Sequence, residues 1–179
     1  MNNRGLTINE LIILDYNKEY PAIYEEEKNN LLNLYKDKIN KIDHIGSTSI
    51  INIKSKPIID ILIQTDNLDE FKKYTEENIA DNTYTIKKEA TRGGDYLIRK
   101  EEDNKVKALI HVYQTGDKRA LDCLIFRDYL NTHEDEKKCY EALKIQLYNK
   151  YKNNRNEYTL GKSNYIKDII NKASTDEVY

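Results

Sequence analysis

Residues 43–62 constrain the fold of this chain more than any other segment of its sequence. They begin Asp-His-Ile-Gly-Ser-Thr-Ser and, after a short loop, end Lys-Pro-Ile-Ile-Asp-Ile-Leu. Alternating polarity over residues 41–45 predicts a strand, and the apolar run over residues 58–64 predicts a second strand that is buried. The segment therefore predicts a loop of small residues just ahead of an apolar strand that carries one acidic residue, Asp60.

Small residues at the end of the first strand are typical of a loop that contacts phosphate. Gly46 has no side chain in the way, so backbone N–H groups can approach a phosphate closely, and Ser47 adds a hydroxyl. An acidic side chain in an apolar strand, such as Asp60, belongs at an edge, at a strand end or in a site. Together these residues predict a nucleotide and its metal ion held side by side. The alternative is a tight turn with capping hydroxyls and a structural acid paired with a basic side chain.

The remaining pattern places most strands before most helices. Three further strands are predicted at about residues 84–88, 96–100 and 106–113, with turns at residues 92–95 and 102–105. A brief first strand is predicted at residues 12–14. Helices are predicted from Pro21 to before Lys41, from a cap at Asp66 or Asn67 to about Asn78, and at about residues 117–130, 134–151 and from Ser163 onward. We therefore expect an α+β fold with a mixed or antiparallel sheet and a helical C-terminal third.

Composition narrows the classes of function. The 179 residues, 34 % charged and 39 % hydrophobic, are typical of a single globular domain over residues 1–179. The net charge of −2 argues against non-specific binding to duplex DNA, and no apolar run approaches the length of a membrane span. The first residues lack the apolar core of a signal peptide, so we expect a cytoplasmic protein. Cys123 and Cys139 lack the spacing of a zinc or redox motif and are predicted to be buried free thiols.

The order and spacing of the motifs resemble the nucleotidyltransferase superfamily and, more closely, the GrpB family. The superfamily pattern is a hydrophobic-Gly-Ser motif, a loop, and a strand with Asp-hydrophobic-Asp. Segments similar to GrpB motifs extend across nearly the whole chain: residues 16–21, 44–49, 56–61, 111–113 and 126–130, Tyr140 with Lys144, and Tyr158 with Lys162. The resemblance implies a nucleotidyltransferase-like fold.

The same resemblance implies a set of site residues. Asp60 would hold Mg²⁺ and would form the catalytic centre together with His111. Phosphate or nucleotide contacts would come from His44, Gly46, Ser47, Thr48, Ser49, Lys56, Arg127 and Lys162. For the histidines the alternative is a half-buried structural role, and for Arg127 it is the anchoring of a helix to the sheet through a carboxylate.

The chain departs from the family pattern at three places, and two of these departures fall on would-be metal or phosphate contacts. Leu62 stands where a second metal-binding carboxylate is expected, Tyr113 replaces a second histidine, and Ile51-Asn52 replaces a Pro-Gly pair. Without a bridging carboxylate, two closely spaced divalent ions would repel each other with little compensation. We therefore expect no more than one Mg²⁺, on Asp60 with Asp43 or His111 nearby. A Leu62→Asp substitution should then tighten metal binding.

Two functions follow from these expectations. The first is binding of a nucleotide or other phosphorylated small molecule around Ser47, Asp60 and His111, with transfer of a nucleotidyl group to a small acceptor. The second is a catalytically inactive module that binds a nucleotide, another ligand or a protein partner, and Leu62 favours it. The acceptor and the oligomeric state do not follow from the sequence.

Overall fold

A five-stranded mixed sheet forms the centre of the computed structural model, which describes residues 4–79, 83–87 and 96–176. Its strands are β1 Lys41–Ile45, β2 Ile59–Thr65, β3 Tyr84–Ile86, β4 Tyr96–Glu102 and β5 Lys105–Gln114. Their order is β1-β2-β5-β4-β3, in which β2 and β5 are parallel and the other neighbours antiparallel. The central strands β2 and β5 are rich in Ile, Leu and Val because both of their faces are covered.

Six helices surround the sheet in the described part of the chain. They are α1 Tyr20–Tyr35, α2 Leu68–Asn78, α3 Lys118–Thr132, α4 Glu134–Lys150, α5 Arg155–Gly161 and α6 Ser163–Asp176. Pro21 lies in the first turn of α1, where its missing N–H is tolerated. The side chains of Asn67 and Asp117 cap α2 and α3 by accepting hydrogen bonds from backbone N–H groups of the first turn.

Successive side chains of β2 point to opposite faces of the sheet. Ile61 and Ile63 pack with Leu31 of α1 and Phe71 of α2 on one face of the sheet. Leu62 points to the opposite face, where it packs with residues of β1, β5 and α3. Asp60 lies two residues before Leu62 and therefore shares that second face. A separate cluster joins α3, α4 and α6 to the loop after β1, and its members are Ile50, Ile53, Phe126, Leu130, Tyr140 and Ile169.

A buried ion pair connects α1 to β4, near the edge of the sheet opposite β1. Glu27 Oε2 lies 2.6 Å from Nζ of Lys100 on β4, and the Tyr84 hydroxyl donates to Glu27 Oε1 at 2.6 Å. The two charged side chains are only 2 % and 9 % exposed. Both charges are therefore shielded from solvent, and each needs a partner within the protein.

The edge strand β1 has two carbonyl groups that bond to side chains instead of to another strand. The Tyr24 hydroxyl donates to the carbonyl of Ile42 at 3.1 Å, and Nη1 of Arg127 donates to the carbonyl of His44 at 3.0 Å. β1 pairs with β2 alone within the described residues. Side chains from α1 and α3 thus cover the open side of this strand.

The α+β fold with its mixed sheet and helical C-terminal part is confirmed, but two local predictions are wrong. Residues 12–14 form no strand, because Leu14 makes a single isolated bridge with Ser55 of a loop and no ladder follows. Cys139 is exposed, since it lies off the buried stripe of α4, while Cys123 is partly buried, and neither cysteine forms a disulfide. The predicted turn at residues 92–95 lies outside the described residues.

No helix among the described residues is both long enough and apolar enough to cross a lipid bilayer.

Candidate functional site

Gly46 brings the loop after β1 directly against the Asp60 carboxylate. Its φ is +71°, a left-handed conformation that suits glycine, and a Cβ atom there would lie 2.4 Å from Asp60 Oδ2. Residues Ser47–Ser49 then form a short 3₁₀ turn, in which the Ser49 hydroxyl donates to the Gly46 carbonyl at 2.7 Å. The Ser49 side chain therefore closes the turn, whereas Gly46 permits the close approach to Asp60.

Asp60 and His111 face each other across the parallel strands β2 and β5. Nε2 of His111 lies 3.7 Å from Oδ1 of Asp60, and both side chains are about one quarter exposed. Burial raises the pKa of the Asp60 carboxyl, but His111, Lys56 and Lys162 together lower it below its usual value. Asp60 is therefore ionised at neutral pH and surrounded by basic groups.

Cationic side chains approach Asp60 from three parts of the chain. Lys56 lies in the loop before β2, Arg155 begins α5, and Lys162 stands between α5 and α6. Burial, together with the charges of Lys162 and Arg155, lowers the pKa of Lys56 to about 7, against the opposing effect of Asp60. Asp60 likewise stabilises the charge of Arg155, whose pKa burial lowers. We call Lys56, Asp60, His111, Arg155 and Lys162 the cationic site.

Helix α4 adds a buried lysine and a tyrosine beside the cationic site. The Tyr140 side chain is 2 % exposed, its hydroxyl contacts Ser47, and burial raises its pKa to about 12 with a contribution from the Asp60 charge. Lys144 is fully buried, with Nζ donating to the Lys54 carbonyl and lying 4.8 Å from the centre of the Tyr140 ring. Burial, assisted by the charge of Lys162, lowers the pKa of Lys144 to about 7.

Three of the residues implied by the resemblance, His44, Thr48 and Arg127, bond to other groups of the protein. His44 Nε2 lies 2.9 Å from Thr48 Oγ1, the His44 ring stacks on Tyr24, and burial lowers its pKa to about 4. Arg127 holds Asp128 through two hydrogen bonds and lies 3.6 Å from Asp43. These contacts agree with the structural alternatives for His44 and Arg127, because each side chain has protein partners.

The cationic site does not match the donor set of a magnesium ion. Mg²⁺ takes oxygen ligands, whereas Asp60 faces His111 and basic side chains, and Asp43 lies beside Arg127. Over residues 4–79, 83–87 and 96–176, no group of three or more His, Cys, Asp or Glu side chains lies in a metal-binding arrangement. In this part of the chain Asp60 and His111 therefore have no third carboxylate, imidazole or thiolate beside them that would complete a metal site.

Three residues of this region were not predicted as site residues from the sequence. Tyr140 and Lys144 are four residues apart and lie on the buried stripe of α4, so a lysine within that apolar stripe was the available signal. Arg155 had no comparable signal, because α5 is short and was not predicted. Two surface depressions do not include Asp60: one is lined by residues 149–154, and the other lies between the segment before β1 and the start of α2. The charged side chains around Asp60, and not a surface depression, therefore identify the site.

Comparison with known proteins gives a consistent assignment. The family model described as "GrpB protein" matches residues 10–172. The UPF0157 protein YqkA of Bacillus subtilis is 37 % identical over 155 residues, which cover 87 % of this chain and 45 % of that protein. The glutamate-rich protein GrpB of Alkalihalophilus pseudofirmus is 29 % identical over 93 % of this chain and 98 % of that protein. The crystal structure of the conserved protein GrpB from Enterococcus faecalis superposes with a TM-score of 0.83 at 27 % identity, covering 94 % of this chain and all of that one.

Proposed function

This chain belongs to the GrpB family, and we propose that it binds a nucleotide or another phosphorylated small molecule at the cationic site. The observation that carries the proposal is the convergence of Lys56, Arg155 and Lys162 on one carboxylate, Asp60. Lysine and arginine are the side chains that most often bind phosphate oxygens. Holding several cations together in a partly buried place costs free energy, and a bound anion would offset that cost.

A titration of charge variants with adenosine, AMP and ATP tests this proposal. We expect Lys162→Met to weaken AMP and ATP binding by roughly 10- to 100-fold, since a hydrogen bond to a charged group contributes about 1.5–3 kcal/mol. Adenosine should bind much more weakly than AMP, because it lacks the phosphate. Isothermal titration calorimetry measures these affinities directly.

Lys150→Met is the matched control for this titration. Lys150 is exposed at the end of α4, so its removal changes the net charge equally without touching the cationic site. The control should leave binding unchanged. Equal losses in Lys150→Met and Lys162→Met, or adenosine binding as tightly as AMP, would contradict the proposal.

Anion binding should strengthen as the pH falls from about 8.5 to 6. The pKa of Lys56 is lowered to about 7, so its amine is mostly neutral above that pH and charged below it. The charged groups facing it are Asp60, Arg155, Lys162 and Lys87. Sulfate is a suitable probe, because its own charge stays constant over this range. Its affinity, measured by calorimetry at each pH, reports the charge of the site.

Lys56→Arg isolates the contribution of Lys56 to this pH dependence. Arginine stays charged throughout, so the variant should bind sulfate with a flatter pH profile. Any dependence that persists in Lys56→Arg belongs to other groups, such as Lys144, whose pKa is also lowered to about 7. A profile that is unchanged by Lys56→Arg, or an affinity that rises with pH, would refute the assignment to Lys56.

Nucleotidyl transfer to a small acceptor is the second candidate function. The observation in its favour is the Asp60–His111 pair, in which a carboxylate 3.7 Å from an imidazole can orient it to accept a proton from an acceptor hydroxyl. Release of pyrophosphate from a nucleoside triphosphate, lost in His111→Gln, would support transfer. Binding without release would support the module that only binds.

A further inference from the structure

The charges around Asp60 extend beyond the cationic site itself. Within the described residues, Lys144 interacts with Lys162, Arg99 with Arg155, and Lys87 with Lys56. Two further carboxylates accompany this outer group, since Glu141 raises the pKa of Lys144 and Glu101 lies 3.2 Å from Arg99. Basic side chains therefore outnumber the carboxylates among these groups by six to three.

The second-carboxylate position of the superfamily pattern is closed by apolar packing. Leu62 is fully buried with Ile45, Tyr113 and Ala120, and its neighbour Asp43 on β1 lies beside Arg127. Of the two carboxylates in the superfamily pattern, only Asp60 is present, and basic side chains surround it. A divalent cation placed there would find no group of three acidic, histidine or cysteine ligands among the described residues and would be repelled by the basic groups.

We propose that basic side chains here take the place of the metal ions expected from the superfamily pattern, so that the site binds a di- or triphosphate group without a divalent metal. The inference rests on the proposed function and specifies its ligand class. A terminal phosphate carries about −1.5 to −2 charges at neutral pH and can contact only the basic groups within hydrogen-bond reach of its own oxygens. A chain of two or three phosphates supplies more charge and spans several of the basic groups at once. Lysine suits such a ligand because its ammonium group acts as a point charge toward phosphate oxygens.

Calorimetric titration with inorganic phosphate, pyrophosphate and tripolyphosphate, each in EDTA and in excess Mg²⁺, tests the inference. In EDTA we expect the affinity to rise about tenfold or more with each added phosphate. Excess Mg²⁺ should leave binding unchanged or weaken it, because the metal neutralises the probe before it reaches the protein. Lys162→Met should reduce the affinity for tripolyphosphate more than the affinity for inorganic phosphate, and Lys150→Met should change neither.

The outcomes separate this inference from the proposed function. If the protein binds tripolyphosphate only in the presence of Mg²⁺, the proposed function stands and the metal-free inference is wrong. If all three probes bind equally, the ligand class is wrong. If no probe and no nucleotide binds under either condition, both proposals fail. An unchanged affinity for tripolyphosphate in Lys162→Met would place the binding elsewhere and overturn the inference.

Direct binding of a divalent metal provides an independent readout. Mn²⁺ substitutes for Mg²⁺ at oxygen sites, and its electron paramagnetic resonance signal falls when the ion binds to protein. We expect the wild-type protein to leave the signal of free Mn²⁺ unchanged at equimolar concentrations. Loss of that signal in wild type, but not in Asp60→Asn, would show a metal on Asp60 and would contradict the inference.

Discussion

Leu62→Asp is expected to lower the free energy of unfolding by about 4–5 kcal/mol, where the sequence alone predicted tighter metal binding. The structure gives the reason, because Leu62 is fully buried in an apolar cluster with Ile45, Tyr113 and Ala120. Aspartate would leave a cavity there and bury a carboxylate on the same face as Asp60. Urea denaturation of the wild type and the variant measures the loss.

Two further substitutions at the same position separate size, polarity and charge. Leu62→Met keeps the volume and should cost less than about 1.5 kcal/mol. Leu62→Asn has nearly the shape of aspartate without its charge, so the difference between the two isolates the buried carboxylate. If a metal site formed instead, about 10 mM Mg²⁺ at a Kd of about 0.1 mM would restore roughly 2.7 kcal/mol. Such a recovery in Leu62→Asp, absent in Leu62→Asn, would favour the prediction from sequence.

Glu27→Ala is expected to destabilise the protein by about 3–5 kcal/mol, because it leaves the charge of Lys100 buried without its partner. Lys100 Nζ would retain only Glu102, 3.3 Å away and much more exposed than Glu27. The Tyr84 hydroxyl would also lose the carboxylate to which it donates. For a chain of this length such a loss corresponds to a decrease in Tm of roughly 10 °C. Thermal unfolding followed by circular dichroism measures it.

The double variant Glu27→Leu with Lys100→Met is the informative control. It removes both charges and fills the space with apolar atoms, so it should regain most of the stability lost in either single variant. Because Glu27 and Lys100 lie away from the cationic site, anion affinity should be unchanged in the double variant. If the double variant is as unstable as the sum of the single ones, the two side chains do not act as a pair.

Most of the strands and helices were predicted correctly from local pattern, and the strand at residues 12–14 was not. The alternation of residues 41–45 and the apolar run of residues 58–64 correspond to β1 and β2, and an Asn67 cap begins α2. The turn before β5 was predicted from its composition, and Asp103 and Asn104 have the positive φ angles that such turns require. The isolated bridge at Leu14 could not be predicted, because its loop partner becomes adjacent only when the chain has folded.

The cationic site shows where prediction from sequence ends. Spacing alone identified Gly46 and Asp60, since a glycine turn next to a strand with an acid is a local pattern. The convergence of Lys56 and Arg155, 99 positions apart in the chain, depends on how α5 returns to the sheet. The family resemblance named Lys56, His111 and Lys162 as site residues, whereas the approach of Arg155 is a property of the tertiary fold, about which local periodicity contains no information.

The covered edge of β1 also bears on the resistance of this protein to aggregation. A bare edge strand offers a row of backbone groups to which a strand from a second molecule can add, and sheets then grow into aggregates. Tyr24 and Arg127 already occupy the carbonyls of Ile42 and His44, so an incoming strand would find those acceptors taken. Arg127, for which the family resemblance implied a ligand contact and the alternative was an anchoring role, thus helps to keep the sheet from growing at this edge.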